Sequence, residues 1–340
     1  MAKHVEENER LKWEYATYLE AAKGQDQKSV DKALAAIARF EDSTKRKPFR
    51  AFNRLQALAF KDHLAAAKNV RTGKPLGVST IDSTLRLVQA FFHWLVRQPG
   101  YKSVVTYDDV EYFNNTMKAA RVAHAKRDIP YPSMEQCAHA FQAMPSASEF
   151  DRRNKALFAF FMLTCARDGA VASLKLKHVN VELGTVFQDA RDVKTKNAKT
   201  FRCQFFPVDP AYRTCFADWV AYLRREKMFG PTDALFPKAR VAYVPGQGFA
   251  NVGLHREGFS GSAKLNEIIK SAFRSVQMEP FTPHSFRKTL MHHGDAVCTT
   301  MEELKAWSMN MGHENLATSI NSYLPVSESR QLEIIRNLAV

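Results

Sequence analysis

Apolar positions in VSTIDSTLRLVQAFFHWLVRQPG recur with helical spacing. Ile81, Leu85, Val88, Phe92 and Leu95 make one stripe, and polar residues fill the opposite face. The pattern predicts a helix with Ser79 or Thr80 as its N-cap and Pro99-Gly100 as its stop. Shorter amphipathic patterns predict helices over residues 5–22 and 27–41. Residues 44–54 and 68–77 read as basic connections. Over residues 118–132, KAARVAHAKRDIPYP, the periodicity fades and two prolines follow, as in a linker.

The second part of the chain is mixed. RRNKALFAFFMLTCARDGAVASLKL predicts a strongly apolar helix, a break near Ala166–Gly169 and a second short helix. TVFQDA and TFRCQFFPV read as strands, with VKTKNAK as the start and turn of a hairpin. PAYRTCFADWVAYLRRE is helical. Residues 230–262, rich in Gly and Pro, read as loop, and helices follow to the end. In the tail, Leu332, Ile335 and Leu338 form a short apolar stripe that suits either closure of the protein's own core or docking on a neighbouring copy. The expected fold class is mainly α, with a small antiparallel β-sheet in the C-terminal part.

Composition changes the picture through charge. The 340 residues are 45% hydrophobic and 25% charged, ordinary for a globular protein, but 49 Lys and Arg stand against 35 Asp and Glu, a formal charge of +14. Residues 1–125 carry 21 basic and 14 acidic residues, the remainder 28 and 21, so neither part is an acidic bystander. Such an excess points to a polyanion, nucleic acid first. No apolar run is long enough to span a bilayer, and MAKHVEENERLKWEY lacks the apolar core of a signal peptide. Cys137, Cys165, Cys203, Cys215 and Cys298 are scattered without a CxxC pair, which fits a reducing cytoplasm and argues against a zinc knuckle. The sequence has no GxxxxGK[ST] loop for ATP. PGQGFANVG is only a fragment of a dinucleotide fingerprint, and His292-His293 reads as a polar helix face.

Three stretches hold candidate chemistry. In FTPHSFRKTL, Thr282 suits an N-cap and Pro283 a first helical position. His284 and Arg287 then share one face of the first turn, where free N–H groups favour an anion. In TCARDGAVASL, Arg167 follows a buried helix; it either pairs with an acid or points into a cleft, and adjacent Asp168 is poorly placed to pair with it. In VKTKNAKTFR, Lys194, Lys196, Lys199 and Arg202 lie on the presumed hairpin. For any one of these charges, a solvated surface is the bland explanation.

Taken in order, Arg167, a hairpin lysine, His284-x-x-Arg287, Gly312-His313 and Tyr323 resemble the tyrosine recombinase (phage integrase) family, over the whole chain. The resemblance implies a helical core-binding (SAM-like) domain over residues 1–125, a linker over 126–132 and a catalytic domain over 133–340, arranged as a two-domain DNA clamp. It implies that Arg167 and Arg287 bind the scissile phosphate, that His284 is the acid/base partner and that His313 hydrogen-bonds the phosphate. Lys196 matches the hairpin lysine best, with Lys194 and Lys199 open, and Tyr323 is the nucleophile. Lys45, Arg46, Lys47, Arg71, Lys74, Lys126, Arg127, Lys194 and Lys199 are the expected DNA contacts. The implied reaction is site-specific cleavage and rejoining of double-stranded DNA through a 3′-phosphotyrosyl link, with no cofactor, for a mobile element. The implied setting is the cytoplasm of a bacterial or phage-infected cell, close to the nucleoid, with a tetramer on two duplexes and accessory DNA-bending proteins. A non-catalytic DNA binder of the same fold and a type IB-like topoisomerase are the competing readings.

The sequence departs from the pattern twice. Where many members have an acid three residues after the first arginine, this chain has Ala170, with Asp168 nearby. The step from His313 to Tyr323 is one residue longer than in many members. In one unbroken helix these two would lie roughly 15 Å apart, so a break is expected around Leu316–Ser319.

Overall fold

Phe52, Phe92 and Phe113 stack in the middle of the N-terminal part, with ring centroids 4.1 Å apart for Phe52–Phe92 and 5.3 Å for Phe52–Phe113. Phe40 meets Phe60 and Phe92 edge-on, both at 5.2 Å. The computed structural model in which these rings lie describes residues 5–70, 72–124, 130–314, 317, 320 and 328–337. The chain divides into two compact units, Met1–Asp128 and Ile129–Val340.

In the first unit the aromatic cluster is enclosed by α1 (Glu6–Thr17), α2 (Gln27–Ser43), α3 (Arg54–Ala66), α4 (Val78–Leu95), α5 (Tyr107–Glu111) and α6 (Met117–His124). α1 continues into a π-helical turn, Tyr18–Ala22. The α4 stripe lands as its spacing predicts, with Leu85, Val88, Phe92 and Leu95 each 2% exposed or less. Its cap differs from expectation. Gly77 is the N-cap, and no side-chain cap bond forms. Ser79 instead donates to the Ala123 carbonyl of α6, at 2.7 Å. Residues 118–124, expected in a linker, belong to α6. That helix is too short for its few apolar positions to show a period, and it is held by packing on α4.

A buried polar knot fixes the basic turn after α2. Asn8, fully buried, donates to Glu41 Oε1 (2.9 Å) and the Lys47 carbonyl (3.0 Å) and accepts the Phe49 N–H (3.0 Å). Lys12 closes on Glu41 at 2.8 Å. Lys45 and Arg46 there are left-handed, with φ of 56° and 58°.

The second unit is built around one helix. After α7 (Met134–Ala143), α8 (Glu149–Thr164) is buried on every side from Ala156 to Leu163, each 2% exposed or less. A helix apolar all round belongs in the middle of a domain. α9 (Asp168–Val171) follows the expected break. β1 (Val179–Asn180), β2 (Thr185–Gln188) and β3 (Phe201–Gln204) then form an antiparallel sheet in the order β1-β2-β3, with Val186 opposite Cys203. The β2–β3 connection spans 189–200. α10 (Pro210–Arg225) packs along α8.

Residues 230–262 correct the expected loop. They contain a long antiparallel hairpin, β4 (Pro237–Val244) and β5 (Gly248–Gly258), with Tyr243 opposite Phe249. Gly246 and Gly248, at φ of 80° and 75°, make the turn. Val241, Tyr243 and Phe249 on one face are exposed while Ala242, Val244 and Ala250 on the other are half-buried, so apolar residues occupy both faces and the hydrophobic–polar alternation that marks a strand is missing. α11 (Ala263–Arg274), α12 (Pro283–Val297), α13 (Met301–Asn310) and α14 (Glu328–Asn337) complete the unit. On α14, Leu332 and Ile335 are 58% and 63% exposed, so they do not close this chain's core; Leu338 lies outside the described residues. Among the described residues no helix is long and apolar enough to cross a membrane.

Removing one ring from the centre of the phenylalanine stack should be costly. Phe92→Ala is expected to destabilise the first unit by about 3–5 kcal/mol, transfer loss plus cavity. Urea unfolding should show an early transition for that unit while the second unit keeps its own midpoint.

Candidate functional site

The site grows from two helix ends and one helix start. α8 stops at Cys165, which sits in the left-handed region at φ 55° although it is not glycine. The side chain is buried and the carbonyl is turned to accept from Arg287 Nη1, at 2.6 Å. Two residues on, Arg167 is the N-cap residue of α9.

α13 ends in a Schellman motif. The Gly312 N–H reaches the Met309 carbonyl at 2.8 Å and the His313 N–H reaches Ser308 at 3.2 Å. Gly312 takes φ 78°, and a Cβ there would lie 2.7 Å from the Phe201 ring, so both conformation and space demand glycine. The motif places His313 directly after the turn.

α12 begins at Pro283 behind Thr282, the N-cap position, though Thr282 makes no side-chain cap bond. His284 is exposed, while Arg287, one turn on, is 1% exposed. Arg287 Nη2 donates to the Met311 carbonyl at 3.0 Å and meets His313 Nε2 at 2.5 Å. A guanidinium only donates, so Nε2 is the acceptor, and the neutral ring carries its proton on Nδ1. Arg287 thus ties the ends of α8 and α13 to the start of α12.

Electrostatics follows from crowded cations. Burial, then Arg287, Arg167 and Lys199, push the His313 pKa down to about 3. Burial and Arg287, with Arg167 and Lys196, also lower that of His284, against an upward pull from Asp168. Both imidazoles are neutral near pH 7. The same arginines work against the burial that raises the Cys165 thiol to about 11. Arg167, His284, Arg287 and His313, expected to act together, are therefore neighbours.

The β2–β3 connection brings two lysines to the same place. Lys196 opens a short 3-10 turn, Lys196–Ala198, is exposed and acts on His284. Lys199 is better held. Its Nζ is 3.5 Å from the Gly312 carbonyl and 3.8 Å from Glu314, and it acts on His313. Lys194 is exposed, with its backbone N–H on Ser173 Oγ. The Asp168 carboxylate accepts from the Gly169 N–H at 2.8 Å and Asn266 at 3.0 Å, and Ala170 is buried.

Of the other expected contacts, Lys45, Arg46 and Lys47 lie on the turn after α2, and Lys74 is exposed in the loop before α4. Arg71, Lys126, Arg127 and Tyr323 lie outside the described residues, as do Leu316, Thr318 and Ser319 of the expected break. The chain has already left α13 before His313. Sequence reasoning missed three things: the Cys165 carbonyl, Asn266 and the seat of Lys199. The first is a backbone group, and a sequence gives no sign of it. His292 stacks on Tyr131 at 4.7 Å and His293 packs on Trp307. Among the described residues no three His, Cys, Asp or Glu are grouped to hold a metal.

The chain is mainly helical and folds in two units, and its second unit clusters Arg167, His284, Arg287 and His313 near the lysine-bearing β connection. No family model matches the chain. Over 260 residues it is 22% identical to tyrosine recombinase XerC of Halalkalibacterium halodurans, covering 76% of this chain and 75% of that protein. Lambda integrase (75–356), solved as a dimer bound to a COC′ core site, superposes with a TM-score of 0.62 at 12% identity, over 93% of this chain and 95% of that one. Lambda integrase has also been solved as a tetramer bound to a Holliday junction (TM-score 0.61, 13% identity, 91% and 77% covered). The Tn1549 transposon integrase, in complex with transposon right end DNA, gives 0.56 at 14% identity, over 97% and 99%. The solved structures show a shared fold, and with the curated relative they support the tyrosine recombinase and integrase family for this chain.

Two measurements test the site's construction. Gly312→Ala should cost about 1–3 kcal/mol in unfolding free energy, from its strained φ and the Phe201 clash; no loss would show that the turn relaxes freely. His313 is neutral in the folded protein down to about pH 3, whereas unfolded it takes a proton below about pH 6.5. Its contribution to stability is therefore complete above pH 6.5 and is lost as pH falls. The slope from this one group is up to about 1.4 kcal/mol per pH unit. His313→Gln should flatten the stability profile between pH 6.5 and 5 in urea titrations.

Proposed function

We propose that this protein is a site-specific DNA recombinase of the integrase type, which cuts and rejoins DNA through a 3′-phosphotyrosyl intermediate. The observation that carries the proposal is the Arg287 junction, which gathers His313, His284 and Arg167 into one cationic pocket beside the loop lysines. Phosphoryl transfer needs positive charge on the equatorial oxygens, an in-line nucleophile and a protonated leaving group.

Each requirement has a candidate. Arg287 and Arg167 hold the scissile phosphate as permanent cations. His313, neutral with its proton on Nδ1, donates to a phosphate oxygen. Tyr323 attacks phosphorus, and His284, neutral and solvent-accessible, accepts the phenol proton. The 5′-oxygen leaves with a proton from Lys196, the lysine singled out by sequence; the tighter seat of Lys199 favours that residue as the alternative donor. The phosphotyrosyl bond conserves the phosphodiester energy, so the reaction needs neither ATP nor a metal. Attack by a 5′-hydroxyl of the partner duplex reverses the steps.

Both units bind duplex DNA, with Lys45, Arg46, Lys47 and Lys74 on one unit and Lys194 on the other holding backbone phosphates. Exchange between two duplexes calls for four protomers. The exposed Leu332 and Ile335 of α14 supply an apolar contact for a neighbour. The setting is the bacterial cytoplasm, and the gene belongs to a mobile element.

The test is a nicked duplex carrying a candidate attachment site, incubated in chelator and run on a denaturing gel. The expected result is a covalent adduct that disappears in Tyr323→Phe. Arg287→Ala should lower cleavage at least ~100-fold, the scale for loss of a transition-state donor, with most DNA affinity retained. DNA binding without an adduct would identify a non-catalytic binder, the reading for which Ala170 and the longer His313–Tyr323 step leave room. Relaxation of supercoiled DNA without strand exchange would identify a topoisomerase.

A further inference from the structure

The β2–β3 connection has a second feature besides its lysines: it is pinned at three places. Asp192 sits among Lys175 (3.1 Å), Lys177 and His178 (Nε2 at 3.6 Å), all on the segment between α9 and β1. The two ammonium groups hold the Asp192 carboxyl well below the usual carboxylate range, with Lys177 the stronger cause. Two residues on, the Lys194 N–H donates to Ser173 Oγ at 2.8 Å, and that hydroxyl donates to the Ala170 carbonyl at 2.9 Å. At the far end the Ala190 N–H closes on Thr200 Oγ1 at 3.0 Å. Between Lys194 and Thr200 lies only the turn with Lys196 and Lys199. That turn contains two consecutive left-handed residues, Asn197 (φ 58°) and Ala198 (φ 50°). Val193, between the first two pins, is buried.

The Ser173 hydroxyl joins two catalytic segments. It bonds to a carbonyl of α9, the helix that starts one residue after Arg167, and to the backbone two residues before Lys196. The hydroxyl therefore helps to set where the lysine-bearing turn lies relative to the Arg167 segment.

We infer that Ser173 and Asp192 are positioning residues that hold the loop lysine in register with the arginine-bound phosphate. This rests on the proposed role of a loop lysine as proton donor. As the P–O5′ bond breaks, the electron pair stays on the 5′-oxygen, and the ammonium transfers its proton there and becomes a neutral amine. A misplaced ammonium slows that step and leaves phosphate binding intact; displacement by about 1 Å is enough for roughly 100-fold.

A sulfur substitution isolates the step. In a 5′-bridging phosphorothiolate duplex the leaving group is a thiolate, which departs without a proton. Ser173→Ala should cleave the ordinary duplex ~10–100-fold more slowly than wild type, with an unchanged dissociation constant for DNA and a nearly wild-type rate on the sulfur duplex. Asp192→Asn should behave alike, and Ser173→Thr, which keeps the hydroxyl, should recover most of the rate on the oxygen duplex. Arg287→Ala should stay slow on both. Wild-type cleavage of the oxygen duplex by Ser173→Ala would overturn the inference. So would a defect of equal size on both duplexes, which marks general damage. The lysine reading has its own control, the paired variant Lys196→Ala with Lys199→Ala. Failure of sulfur to restore that variant sinks the donor assignment and this inference with it, whereas restored lysine variants beside an unaffected Ser173→Ala sink the inference alone.

Discussion

Everything at the pocket depends on a guanidinium with almost no access to water. Arg287 is permanently charged and 1% exposed, and burying such a charge costs several kcal/mol unless oriented dipoles and hydrogen bonds replace the solvent. The replacements are unusual in origin. The Cys165 carbonyl faces Arg287 because α8 ends on a left-handed residue, and the Met311 carbonyl does so because α13 ends in a glycine motif. Two helix terminations, far apart in sequence, are therefore locked by one side chain from a third helix. The guanidinium also sets the chemistry of its neighbours, since a cation beside a half-desolvated imidazole favours the neutral ring.

The parts that sequence shows best here are those with a local cause. The α4 stripe, the break after α8, the proline start of α12 and the glycine after α13 each follow from spacing or from one residue's backbone preference. The β4–β5 hairpin was missed because apolar residues such as Val241 and Tyr243 also occupy its exposed face, so hydrophobic and polar positions do not alternate. α6 was missed because eight residues give too few turns for a period. The capping of α4 failed for a different reason: Ser79 is drawn to the Ala123 carbonyl of another helix, a tertiary bond with no local signature. In the site, the ionic side chains could be named from their order along the chain. Their supports, the Cys165 and Met311 carbonyls and Asn266, are backbone or neutral groups whose role exists only once the segments meet.

Ala170 is buried to 1% exposure, so an acid at that position would have to be desolvated in the core. The acid present instead, Asp168, lies on the first turn of α9, takes hydrogen bonds from the Gly169 N–H and Asn266, and pulls the His284 pKa upward against three cations. The acid nearest the missing one is thus a neighbouring side chain fixed by a neutral amide. Its pull on His284 is opposed by Arg287, Arg167 and Lys196, so cations predominate around that ring.

A positive potential lowers the pKa of any acid placed in it, because it favours the form with one proton fewer. The histidines feel that potential in second place: burial first, then Arg287, Arg167 and Lys199, pushes His313 down to about 3. A phenol brought to the same phosphate would feel the same cations, which favour phenolate and lower its pKa from the ordinary value near 10. The desolvation share runs the other way for a phenol, since burial disfavours phenolate. Electrostatic activation therefore gains most if the tyrosine arrives at the solvent-accessible edge of the pocket, where His284 lies, and not in its buried floor beside His313. In the proposed mechanism the cations that hold the phosphate would then also prepare the nucleophile, leaving one neutral histidine to donate to oxygen and the other to accept the phenolic proton.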